Sequence, residues 1–370
     1  MSFQVFSTLR LRLVASSSAL AVVAALSAPA WAGDSAGALD VTFGATTDDG
    51  TPAGIVSTSL GNGDDVGAGL ALGADGKVVV VGNRNNGKSN DIVVVRYTAD
   101  GSFDAGFGSD AGTDGTPDGV ASISLGEGND FGTAVAAQAD GKLVVAGYHE
   151  DGASTNMVVL RVNTDGTLDQ TFGTTNDGTE NGIVNISLGE GNDIARDIAV
   201  QADGKIVIAG DSVVADGSSN IIVARLNADG SVDESFGQSE DGTPNGFVAT
   251  SLGNGDDKAN ALVLQADGKI VVAGNRVAED GSSNILVARY DAAGIPDASF
   301  GAAGDDGTPE GFVNLSLNYK DQRLSNRAYP IDPSVQLFPL VGGARDPREA
   351  TIDRLVTKNF GQLPQTNTRS

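Results

Sequence analysis

"QADGKIVIAGD", residues 201–211, holds a tight turn and the strand that follows it. The phrase returns as "ADGKVVVVG" at 74–82, "ADGKLVVAG" at 139–147 and "ADGKIVVAG" at 266–274. An Asp-Gly pair between β-branched runs is a hairpin signal. A hairpin written four times requires a repeat architecture, and the period must be fixed before any local motif is read.

Phenylalanine before glycine marks that period. Phe43, Phe107, Phe172, Phe236 and Phe300 are 64, 65, 64 and 64 residues apart. One unit can be followed from Phe172. "FGTTNDGTENG" is loop, rich in Gly, Asn and Thr. "IVNISLG" (183–189) alternates apolar and polar residues, as a half-buried strand does. After "EGND", the runs "IARDIAVQ" (194–201), "KIVIAG" (205–210) and "IIVARL" (221–226) read as three more strands. No stretch carries a helical period.

Four short strands per unit, repeated, predict an all-β, β-propeller-like fold of four-stranded antiparallel blades. The last two strands of each unit are nearly all apolar, as expected of strands covered on both faces. A parallel β-helix is the rival, but its coils are shorter and lack the hairpin. The units fall near 39–102, 103–167, 168–231 and 232–295, with a partial fifth over 296–317. Residues 318–370 break the pattern, holding three of 51 Gly and five of 11 Pro. Two readings of this tail stand: a different module, or a repeat disrupted in the gene. Ring closure is open too. "GFVNLSL" (311–317) could pair beside "GIVSTSL" (54–60), or the tail could lend strands to a fifth blade.

The ends and the composition bound the function. Arg10 and Arg12, the apolar Leu13–Leu26 stretch and "APAWA" with Ala30 and Ala32 predict a secretory signal over 1–32. The expected mature chain starts at Gly33, has no Cys or Trp, and contains no second apolar run long enough to span a membrane. The signal carries two Arg and no acid, so 21 basic and 48 acidic side chains remain, a net of −27. Nucleic acid is a poor partner for such a surface, whereas cations and basic partners are attracted. The expected location is the periplasm, the cell surface or the medium, with a partner there that the sequence does not name.

Two sets of residues recur with chemistry attached. Lys77, Lys142, Lys205 and Lys269 follow each "ADG", and Arg96, Arg161, Arg225 and Arg289 sit late in each fourth strand. Arg among apolar residues is costly to bury unless paired. Asp104, Asp169, Asp233 and Asp297, just downstream, are the expected ion-pair partners. A ring of Arg binding an anion in the channel is the functional alternative.

The second set is acidic. Asp64–Asp65, Asn129–Asp130, Asn192–Asp193 and Asp256–Asp257 close Gly-rich corners after each "SLG". Asp48–Asp49, Asp305–Asp306 and the "DAGTDG" fragment at 110–115 add acids nearby, although Ala121 stands where a calcium loop would place its closing glutamate. Calcium takes six to eight hard oxygens, which such corners supply, so these eight corner residues are the candidate metal ligands. The same residues make tight turns without any metal. No catalytic set stands out. The sole histidine, His149, reads as a solvated loop residue, with Arg84, Ser212 and Arg276 at the equivalent places.

Taken together, "LDxTFG … SLGxGDDxAxALxxQADGKIVVAG … NxxVARYNADGSLDxxFG" resembles the delta-60 repeat family of bacterial secreted and surface proteins, over residues 38–317. The resemblance implies a β-propeller and carries no catalytic residue with it. The expected function is a non-enzymatic binding or structural module, with calcium as the one cofactor in prospect. The alternative is a propeller-fold hydrolase or lyase acting on extracellular polymer.

Overall fold

The computed structural model describes residues 39–40, 42–44, 54–108, 118–152, 154–173, 181–189, 191–238, 245–278, 281–301 and 311–315. The expected signal, the tail from 318, Asp48–Asp49, Asp305–Asp306 and the 110–115 fragment lie outside them. The chain divides at Leu317–Asn318 into two units, and every described strand falls in the first.

The described residues are all-β, in four sheets of four antiparallel strands. The first sheet runs β1 (Asp65–Leu72), β2 (Val78–Asn85), β3 (Asn90–Tyr97) and β4 (Val120–Ile123). The second holds β5 (Asn129–Ala137), β6 (Leu143–Glu150), β7 (Thr155–Val162) and β8 (Ile183–Ile186). The third holds β9 (Asp193–Val200), β10 (Ile206–Val213), β11 (Ser219–Leu226) and β12 (Phe247–Thr250). The fourth holds β13 (Asp257–Leu264), β14 (Ile270–Val277), β15 (Ser283–Tyr290) and β16 (Phe312–Leu315). Strands are hydrogen-bonded in chain order within each sheet, and the first strands β1, β5, β9 and β13 lie against one another in turn. This is the arrangement of propeller blades.

The quoted phrase is the hairpin expected. The Lys205 carbonyl accepts from Gln201 N–H at 2.7 Å across the turn, and β9 and β10 pair on either side. The glycine that ends the phrase has a steric cause. Each first strand carries a bulge, which brings backbone against the second strand. A Cβ on Gly210 would stand 2.0 Å from the Ile194 carbonyl oxygen, and one on Gly274 would stand 1.8 Å from that of Lys258. Any larger residue would force the hairpin open.

The sheets and the sequence units are out of phase. Each sheet takes three strands from one unit and its outer strand from the opening of the next. Thus β8, in the unit that begins at Phe172, pairs with β7 of the unit before it. "GFVNLSL" behaves the same way: β16 pairs with β15 and completes the fourth sheet. It does not pair with residues 54–60, which join no ladder among the described residues.

Apolar residues on facing sheets form the core. Val81, Ile92 and Val94 meet Val145, Val158 and Leu160 around Phe107. Met157, Val159 and Phe172 meet Ile198, Ile208 and Ile222. Val223, Phe236, Leu262, Val272 and Leu286 close the third junction. Each of these Phe rings is fully buried. Burying one contributes about 1.5–3 kcal/mol.

Among the described residues, the series of sheets does not close. The outer face of the first sheet leaves Leu70 and Leu72 each 58% exposed, and that of the fourth leaves Val263 54% exposed. Residues 54–60 cover part of the first face, where Val56 and Leu60 pack on Val95, Tyr97 and Val120. There the Thr58 hydroxyl lies 2.6 Å from the Tyr97 hydroxyl, as Thr250 on β12 lies 2.9 Å from Tyr290 on the next sheet. The segment therefore sits as the outer strand of a preceding sheet would.

Candidate functional site

The recurrent cations and acids come together four times. Arg96 Nε donates to Asp104 Oδ2 at 2.6 Å, Arg161 to Asp169 at 2.6 Å, Arg225 to Asp233 at 2.6 Å and Arg289 to Asp297 at 2.7 Å. The same carboxylate oxygens take Lys77, Lys142, Lys205 and Lys269 at 3.0, 2.6, 2.7 and 2.7 Å. Each guanidinium also lies over the ring of the marker phenylalanine, at 4.2 Å for Phe107 and 4.6 Å for Phe172. The expected ion pairs are therefore present, and the Arg side chains do not form a free anion-binding ring.

The first three clusters sit where sheets join. Arg161 Nη1 donates to the Ala228 carbonyl of the following sheet's turn, and Arg225 Nη1 to that of Ala292. Beside them Gly108 N–H donates to the Asp165 carbonyl and Gly173 N–H to that of Asp229, both at 2.8 Å. The hydrogen bonds from Lys142 and Thr171 hold the carboxyl of Asp169 well below the usual carboxylate range, against the cost of burial. Lys205 and Ser235 do the same for Asp233.

The acidic corners are also used by the fold. Asp65, Asp130, Asp193 and Asp257 each accept the N–H of the leucine five residues earlier, at 2.7, 2.8, 2.7 and 2.6 Å. This bond turns the chain from one sheet's outer strand to the next sheet's first strand. Asp130 and Asp193 are fully buried, and burial pushes the carboxyls of Asp193 and Asp257 up. The first corner residues differ. Asn129 Oδ1 accepts from Asn90 N–H and Asp256 Oδ1 from Ser219 N–H, each bond linking two sheets, while Asp64 and Asn192 are exposed. Among the described residues, no three acidic or histidine side chains gather around a point that could hold a metal ion.

The repeats differ most on the second and third sheets. His149 is not a solvated loop residue. It lies on β6, opposite Asp130 in the ladder, with its side chain 14% exposed and Nδ1 2.6 Å from Asp130 Oδ1. The strand runs to Glu150, beyond where its apolar run ends. Arg84, Ser212 and Arg276 hold the same ladder position opposite Asp65, Asp193 and Asp257. Nearby, Phe131 stacks on Tyr148 at 4.7 Å, and Arg196 forms an ion pair with Asp211. An Asp–His pair orients an imidazole, but a hydrolytic triad also needs a nucleophile. Among the described residues none hydrogen-bonds His149.

The sequence comparison follows this geometry. Four segments, 73–107, 138–172, 201–236 and 265–300, match a family described as "Domain of unknown function (DUF5122) beta-propeller". The repeats match a β-propeller family. Each matched segment runs from a hairpin turn through the Arg-bearing strand to the marker phenylalanine, and so contains one complete Lys–Arg–Asp–Phe cluster. No curated protein matches the chain. Among solved structures, the propeller repeats are similar to a GH43 endo-arabinanase from Bacillus licheniformis, at 15% identity and TM-score 0.31, covering 61% of this chain and 74% of that one. An alpha-L-arabinofuranosidase from Clostridium thermocellum shows 13% identity and TM-score 0.28, covering 61% and 69%. Extracellular domains 1–2 of Drosophila Semaphorin 1b show 8% identity and TM-score 0.24, covering 60% and 51%.

Among the described residues, no helix is long and apolar enough to cross a membrane. The register of His149 against Asp130 escaped the sequence reading. Its signal was the count from "ADGK" to the corner, which sets a polar residue opposite each corner aspartate.

Proposed function

We propose that the chain is an exported, non-enzymatic binding or structural module built on propeller repeats. One observation carries the reading: the Lys, Arg and Asp that recur in every repeat are engaged with one another, and Arg161 and Arg225 also bond the following sheet. A catalytic site of the hydrolase or lyase kind would instead set unlike polar groups around an open reacting position. The periodicity does break at His149 and Arg196, but both side chains are held by carboxylates of the fold.

The test pairs location with activity. The full-length chain would be expressed with a C-terminal tag and followed by cell fractionation, and the purified product incubated with a panel of plant and bacterial polysaccharides. Export, together with retention of a polymer without release of shorter products, is the expected result. Release of reducing ends, abolished in His149→Ala, would replace this reading with the hydrolase one.

A further inference from the structure

We propose that the cleft between the first two sheets binds a small carboxylate on the two terminal nitrogens of Arg96. The cleft has a volume of about 390 Å³ and lies between the hairpin turns at 73–77 and 138–142. Arg96, Lys77, Val79, Leu143 and Thr164 are among its lining residues.

Arg96 differs from its three counterparts in one respect. Arg161 places Nη1 on the Ala228 carbonyl and Nη2 on the Thr171 hydroxyl. Arg225 places Nη1 on the Ala292 carbonyl, and Arg289 places Nη2 on the Ser299 hydroxyl. Arg96 uses Nε on Asp104 and its face on Phe107, and among the described residues neither Nη has a partner. The cause is legible. Gly106 stands where the other units have Thr171, Ser235 and Ser299, so there is no hydroxyl to take Nη2. On the other side, Thr164 lines the cleft instead of closing on Nη1 as Ala228 does on Arg161.

A guanidinium with one edge free offers two parallel N–H donors in its plane, the geometry that a carboxylate accepts bidentately. Arg96 is 9% exposed, and Asp104 and Phe107 hold its guanidinium in place. Arg96 and Lys77 share the carboxylate of Asp104, and Lys77 also lies 3.5 Å from Asp75. Asp75 and Asp140 also line the cleft, each with an oxygen on a turn amide. The Thr167 hydroxyl and amide both donate to Asp165 Oδ1 and lower its carboxyl, with Arg96 adding a smaller part. With these carboxylates around the Arg96 edge, in a chain of net −25, a monoanion is favoured over a dianion. Val79 and Leu143 would meet the apolar part of a short-chain acid.

Gly106→Ser is the discriminating variant, because it restores the hydroxyl of the other repeats. A Cβ there would stand 3.6 Å from Asp104 Oδ1, an ordinary contact, so the fold accommodates it. The full chain would be titrated calorimetrically with acetate, lactate and inorganic phosphate at fixed ionic strength. Saturable binding of acetate or lactate, at least tenfold weaker in Gly106→Ser with the melting temperature preserved, is expected. Arg96→Lys, which keeps the charge but loses the fork, should weaken binding similarly. Absence of saturable carboxylate binding, equal binding by Gly106→Ser, or a preference for phosphate would each overturn the assignment.

Discussion

Arg225 Nε meets Asp233 Oδ2 at 2.6 Å, and both side chains are buried. Lys205 shares that oxygen and the Ser235 hydroxyl donates to the other, so three residues of one repeat depend on a single carboxylate. Deleting one partner of a buried pair leaves an uncompensated charge, at a cost of about 3–5 kcal/mol. Asp233→Asn should therefore destabilise the chain by that order in urea unfolding. A loss below about 1 kcal/mol, the range of exposed pairs, would show the pair to be solvated.

Asp193 should behave in the opposite way. Its Oδ1 is buried without a hydrogen-bond partner, while the other oxygen takes the Leu188 amide. Asparagine keeps that acceptor and removes the buried charge. Asp193→Asn should be neutral at pH 7, or more stable by about 1 kcal/mol, because burying an unpaired charge is unfavourable. A marked loss in the same unfolding experiment would mean that the charge itself holds the corner.

Acid should act on these two classes with opposite signs. Asp169, Asp233 and Asp297 are held below the ordinary range by hydrogen bonds from Lys and from Thr171, Ser235 and Ser299. Their contribution is complete above the unfolded carboxyl value of about 3.9 and is lost as pH falls further. Asp193 and Asp257 are raised by burial, so they penalise folding above their folded values and cease to do so on protonation. Melting temperature should therefore vary little from pH 7 to pH 5 and drop steeply below pH ~4. A profile rising continuously to pH 3 would reverse the balance between the two classes.

Gly166 touches Gly108 across the junction of the first and second sheets. A Cβ on Gly166 would stand 2.3 Å from the Gly108 nitrogen, and its φ is +90°. Gly152 has a similar φ of +89° and open space around it. Gly152→Ala should cost about 1 kcal/mol from backbone strain alone, and Gly166→Ala at least about 2 kcal/mol more. Equal losses in paired denaturation curves would show that the junction yields freely.

Calcium offers a test of the corners. Asp65, Asp130, Asp193 and Asp257 each have one oxygen on a leucine amide, and among the described residues no three acidic or histidine side chains gather there. EDTA and millimolar calcium should leave the melt unchanged. Saturation a hundredfold above Kd adds about 2.7 kcal/mol, a shift of several degrees. A shift of that size would place the ligands in the acidic loops outside the described residues.

Much of this fold was legible. The hairpin, the short β-branched strands and the recurrent Arg–Asp spacing follow from local pattern and from the cost of an unpaired Arg. The phase of the sheets was not. Strand signals at 183–186 are the same whether that strand pairs with β7 or β9, and the Asp193–Leu188 bond that carries the chain across is a tertiary contact. The corner aspartates read as turn or metal residues because sequence does not reveal that their carboxylates face inward. Gly106 was visible as a departure from Thr and Ser, but its meaning depends on where Arg96 points.

The half-step offset between unit and sheet has a genetic corollary. Excise one period of about 64 residues, beginning at any residue of the unit, and the next opening strand arrives where the lost one stood. Every surviving sheet remains four-stranded. Duplication has the same property, so copy number can drift by whole cassettes without a crossover ever having to find a domain boundary.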